Sequence, residues 1–96
     1  MTQPAPRTAR VPWYAREDYA AILAMMEDPH ILAPVYDQWL VAAQNNEREA
    51  ERAGVTVVRV RIEPESFARW CAEQGIARDS RARMRYVADA AGPGTG

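Results

Sequence analysis

Ninety-six residues lie near the low end for an independent domain, leaving room for one hydrophobic core and a large exposed surface. Hydrophobic residues make up 48% of the chain, but eighteen residues are alanine and cover little area, so the apolar supply is thin and a second chain would add to it. The formal net charge of -1 excludes any pull of the whole molecule toward nucleic acid, an acidic membrane or a polyanionic substrate.

Met1 to Arg10 carries proline and arginine without periodicity, and Gly92 to Gly96 reads Gly-Pro-Gly-Thr-Gly. Residues 1–10 and 92–96 therefore read as tails around a single domain at 11–91. Tyr19, Ile22, Leu23 and Met26 fall at the i, i+3, i+4, i+7 spacing of an amphipathic helix, with Glu17 and Asp18 suited to the positive end of its dipole and Pro29 ending it. Pro34 suits a first helical turn, and Tyr36, Trp39, Leu40 and Ala43 continue an apolar stripe in a second, long helix that Gly54 stops. Its latter half, Gln44 to Arg52, is almost wholly polar and belongs on the surface.

Val55 to Ile62 differs in kind. Five of its eight residues are Val or Ile, and Val58, Val60 and Ile62 alternate with Arg59 and Arg61, which predicts a strand with one buried face. Pro64 and its flanking acids then open a third helix that carries Phe67, Trp70 and Cys71 on one face and ends at Gly75. Asp79 caps a fourth, bearing Met84, Val87, Ala88 and Ala91. The expected fold is α+β and mostly helical, in the order helix, helix, strand, helix, helix. Tyr19, Ile22, Leu23, Met26, Trp39, Leu40, Val58, Val60, Phe67, Trp70 and Met84 are expected to form one core.

A lone strand needs partners for its N–H and C=O groups. One answer is pairing inside the chain with the segment Arg7 to Trp13, which is poor strand material because only Val11 and Trp13 favour that conformation and Pro12 between them cannot donate. The alternative is the same strand of a second copy, and the candidate dimer strand is Val55, Val57, Val58, Val60 and Ile62, with Val57, Arg59 and Arg61 on its opposite face.

For chemistry the inventory is mostly negative. His30 and Cys71 are the sole histidine and the sole thiol, too few for a zinc site, and no metal or cofactor site is expected. Cys71 lies on the apolar stripe of its helix as a structural thiol, and His30 reads as a loop residue. The close pairs Glu17/Asp18, Glu27/Asp28 and Glu63/Glu65 lie at helix ends, where negative charge or a stop before proline explains them without catalysis. The glycines form no phosphate loop, and no catalytic residue is assigned.

Residues 1–53 carry -3 and residues 54–96 carry +2, and the second half holds Arg78, Arg81, Arg83 and Arg85 within eight residues. These four are the candidate anion or nucleic-acid contact; the alternative is that they flank a buried stripe, stems over it and heads in water. Helices at 64–74 and 80–91 also match part of a DNA-binding helix-turn-helix, with Gly75 in the turn, but Gln74 and Arg81 stand where that motif buries apolar side chains.

All twelve basic residues are arginine, which together with the alanine excess reads as genomic compositional bias. The run from Trp39-Leu40 through Val57 to Pro64, then Phe67, Trp70-Cys71 and Gly75, resembles a group of short uncharacterised proteins from GC-rich bacteria. That resemblance implies an intact domain over about residues 13–88 and transfers no activity.

A single cysteine, no leader-like apolar run in Met1 to Pro12 and a longest apolar stretch of Tyr19 to Met26 point to the cytoplasm and away from membranes. The expectation is a small homodimeric interaction or regulatory module without catalysis. Self-association is the expected partnership, another protein partner stays open, and nucleic acid is disfavoured. A helix-turn-helix DNA binder and a small enzyme with an unrecognised site are the alternatives.

Overall fold

The computed structural model describes residues 7–90. In chain order these form β1 (Arg7–Trp13), a 3-10 turn (Arg16–Asp18), α1 (Tyr19–Met25), a second 3-10 turn (Pro29–Ile31), α2 (Tyr36–Arg52), β2 (Val55–Arg61), α3 (Pro64–Gln74) and α4 (Ser80–Ala90). The fold is α+β, with four helices and one two-stranded sheet.

The expected order of elements lacked β1; the structure adds it, and of the two pairings considered for β2 it contains the one with Arg7 to Trp13. β1 lies parallel to β2 along its whole length, Arg7 opposite Val55 and Trp13 opposite Arg61, so Arg7 to Arg10 belong to the folded domain rather than to a tail. The strand thus has its partner inside the chain, and the need that pointed to a second copy is met on this side.

Pro12 does not obstruct the pairing, for a reason that lies in the ladder. The Ile62 N–H donates to the Trp13 carbonyl at 2.9 Å. Each bonding residue of a parallel ladder turns both its N–H and its C=O to the same side, and the pattern repeats every second residue. Arg7, Ala9, Val11 and Trp13 therefore face β2, while Thr8, Arg10 and Pro12 face the outer edge. The donor that proline lacks is one the ladder never uses.

Parallel neighbours need a crossover, supplied here by α1 and α2. Gly54, at φ +86, turns the chain from the end of α2 straight into β2 in a left-handed conformation that favours glycine. α2 consequently packs back along the sheet, on the face bearing Ala9, Val11, Trp13 and Val57.

This covers the side of β2 that was expected to be outward. Arg59 lies over the Trp13 ring, its guanidinium carbon 3.9 Å from the centroid, and makes two 2.8 Å hydrogen bonds to Glu47 of α2. On the other face burial increases along the strand: Val58 is 40% exposed, Val60 half-buried and Ile62 wholly buried. The reason is position, because the core gathers beyond the C-terminal end of β2 from Tyr14, Tyr19, Ile22, Met26, Ile62, Phe67, Cys71, Ala82 and Val87.

Within that core Tyr19, Ile22, Met26 and Phe67 are buried as expected, and Leu23, Trp39, Val60 and Trp70 pack against it partly exposed. Met84 is a second correction. α4 turns Ala82, Arg83, Tyr86 and Val87 inward, leaving Met84 on the flank of that face and 52% exposed. Sequence periodicity marked Met84 as core because it could not anticipate an arginine on the buried face.

Two aromatic groups brace the packing. Trp39 of α2 meets Trp13, Tyr14 and Tyr36 with ring centroids 4.9 to 5.4 Å apart, and Phe67, Trp70 and Tyr86 join α3 to α4. The Tyr19 hydroxyl donates to the Ala33 carbonyl at 2.6 Å and the Tyr36 hydroxyl to the Tyr14 carbonyl at 3.0 Å, so these rings also tie down the loops around α1.

Phe67→Ala should cost about 3–5 kcal/mol by opening a cavity, whereas Met84→Ala should stay within about 0.5 kcal/mol. Urea denaturation of the two variants checks which residue is core. Burial pushes the Tyr14 hydroxyl up to about 12 from an ordinary 10.0, with the positive charge of Arg83 acting the other way. The unfolded chain then loses this proton first, so stability should fall as pH rises from 10 toward 12. Tyr14→Phe should flatten that alkaline decline in denaturation midpoints measured across the range.

Candidate functional site

The four candidate arginines of the α4 region do not form one surface. Arg83 is 4% exposed and bonds Asp28 through Nη1 at 3.1 Å, so its charge is spent inside the molecule. Arg78 closes a polar clasp with the end of α1: its Nε donates to the Met25 carbonyl at 2.7 Å and its N–H to Glu27, while the Glu27 N–H donates to the Arg78 carbonyl at 2.8 Å. Arg81 and Arg85 face solvent beside a shallow cleft shared with Asp79. Arg85 also reaches Gln74 and the Trp70 ring. A recognition surface on Arg81, Arg83 and Arg85 together is thus not what α4 presents, because Arg83 points inward.

At least one carboxylate of each close pair is likewise engaged in holding the fold. Asp18 pairs with Arg61 at 2.6 Å. Asp28 accepts from Arg83 and, at 2.9 Å, from the Ser80 N–H at the start of α4. Glu63 accepts from the N–H groups of Glu65 and Ser66 at the start of α3, and these hydrogen bonds hold its carboxyl below the usual range. Asp79 accepts from the Ala82 N–H at 3.0 Å in the first turn of α4. A carboxylate already bonded to main-chain donors or an arginine is poorly placed to shuttle protons.

Cys71 is buried and its burial pushes the thiol pKa up, away from the thiolate needed for nucleophilic work. His30 is exposed in the second 3-10 turn. Among the described residues, no three His, Cys, Asp or Glu side chains are grouped to hold a metal ion, and no helix is long and apolar enough to cross a membrane.

A groove of about 370 Å³ runs between α2 and the sheet, over Ala9, Val11 and Val57 and under Ala42, Ala43 and Ala50. Small side chains on both walls create it. Its polar lining is Asn46 and Glu47, and the Arg59 fork already occupies Glu47 and holds its carboxyl below the ordinary range. That leaves no convergent set of free polar groups for catalysis.

The more distinctive surface is the sheet's edge, and the two edges are unlike. β1 turns Thr8, Arg10 and the donor-less Pro12 outward, and α4 packs against this strand. β2 turns outward the N–H and C=O groups of Val55, Val57, Arg59 and Arg61. Among the described residues nothing bonds them. The sequence offered β2 as the candidate dimer strand but not which of its main-chain groups face outward, since that depends on the ladder's phase.

The family described as a domain of unknown function, DUF8829, matches residues 14–96. The chain belongs to this family. The match takes in α1 to α4 and β2, and it begins one residue beyond β1. No curated protein and no solved structure matches the chain. Membership of DUF8829 brings no activity with it, so function rests on the geometry above.

Removing one partner of the inward ion pair exposes the difference among the arginines. Arg83→Ala should cost about 1–3 kcal/mol because it removes the buried partner of Asp28, which keeps its Ser80 N–H donor, whereas Arg81→Ala should stay within about 0.5 kcal/mol. Guanidinium or urea unfolding of both variants provides the comparison.

Proposed function

We propose that this DUF8829 protein is a small non-catalytic interaction module of the bacterial cytoplasm, and that its working surface is the outer edge of β2. The observation that carries this reading is the row of main-chain groups at Val55, Val57, Arg59 and Arg61, unpaired among the described residues. An extended segment laid alongside would bond them as an added strand, with main-chain hydrogen bonds supplying affinity and alternate side chains supplying choice. The engagement of the carboxylates, Arg83 and Cys71 in packing supports a binding role over a catalytic one. The all-arginine basic set with its alanine excess, and the single buried thiol, support a GC-rich bacterial source and a reducing compartment.

Two prolines test the edge from opposite sides. The Val57 N–H faces outward, so Val57→Pro removes no ladder bond and should fold close to normally while losing association. The Val58 N–H faces β1, so Val58→Pro should lower stability by about 1–3 kcal/mol through an unmade bond. Amide hydrogen exchange reads the surface directly. At high protein concentration, with a synthetic Val55–Arg61 heptapeptide in excess, the amides of Val55, Val57, Arg59 and Arg61 should be protected. Exchange at unprotected rates under those conditions would show that the edge binds nothing.

A further inference from the structure

We infer that the strand received by β2 is β2 of a second copy, laid antiparallel about a two-fold axis through Val58; this rests on the open edge just described. The register follows from the phase of the intrachain ladder. Val58 turns its N–H and C=O toward β1, so on the outer side it stands opposite the partner's Val58 as a non-hydrogen-bonded pair, the closer of the two kinds. Val57 then faces the partner's Arg59 and Val55 the partner's Arg61, both as hydrogen-bonded pairs, and the seven residues of β2 overlap completely.

The side chains suit this self-pairing. No arginine stands directly opposite another, since each meets a valine. Arg59 and Arg61 are already neutralised within their own chain by Glu47 and Asp18, so the edge presents little unbalanced charge to its copy. Val58, 40% exposed on the face away from α2, gains an apolar neighbour where it has none across the edge.

The arrangement puts the less open edges outermost. It gives a four-stranded sheet in the order β1, β2, β2, β1, whose outer edges are the strands bearing Pro12 and flanked by α4. It also enlarges a parallel pair of a kind ordinarily found in larger, well-covered sheets.

Cross-linking reads the register. In a Cys71→Ala background, Val58→Cys places two thiols face to face on the axis, within reach of a disulfide. Thr56→Cys places them about 14 Å apart along the strands, out of reach. Under mild diamide oxidation Val58→Cys should dimerise at least about tenfold faster than Thr56→Cys. Light scattering of the wild type should give twice the 10.8 kDa chain mass, and Val57→Pro should return it to one. Equal cross-linking rates for the two cysteines overturn the register. A single-chain mass up to high micromolar concentration, with the outer β2 amides protected by the heptapeptide, overturns the second copy and leaves the edge in use by another protein. A single-chain mass with those amides unprotected overturns both.

Discussion

The parallel pairing of Arg7–Trp13 with Val55–Arg61 is the constraint on which the rest of the molecule depends. Parallel neighbours cannot be joined by a hairpin, so the chain must leave the end of β1 and return to the start of β2. α2 makes that return. Its 17 residues span about 25 Å, close to the roughly 23 Å of a seven-residue strand, so one straight helix covers the distance and lays its alanines and Trp39 over the sheet. The groove, the Arg59 fork on Glu47 and the stacking of Arg59 on Trp13 all follow from α2 lying there.

The opposite face is organised by polar contacts at the far end of the sheet. Asp28 holds both Arg83 and the first turn of α4, and the Glu27–Arg78 clasp fastens the end of α1 to the same place. Arg83 therefore sits in the interior with a partner for its charge, and the core closes around Phe67, Ile62 and Val87. Asp18, Glu27, Asp28, Glu63, Arg78 and Arg83, which look reactive in the sequence, are here engaged in joining elements.

The two edges of the sheet contrast. On β1 a proline occupies an outward position and a helix lies alongside, while β2 turns outward four residues whose donors and acceptors are unbonded among the described residues, with an exposed valine at its centre. Natural sheets commonly blunt their edges with proline or a covering element. Here proline and a neighbouring helix mark the β1 edge, and neither marks the β2 edge.

By itself the sequence determined the local elements: four helices in their places, the valine-rich strand, Gly54 and Gly75 as stops, and the buried Phe67 and Cys71. These follow from periodicity, proline and glycine, which act over a few residues. Only the tertiary structure decided what depends on distant neighbours. Arg7 to Trp13 was one of two partners the sequence offered for β2, but Pro12 counts against it until the ladder's phase shows that its missing donor faces outward. Val58 and Met84 read as core, yet their burial is set by where α1, α3 and α4 gather, not by alternation. Arg83 read as one of four surface charges, and only the fold brings Asp28, 55 residues away in sequence, to within 3.1 Å of it.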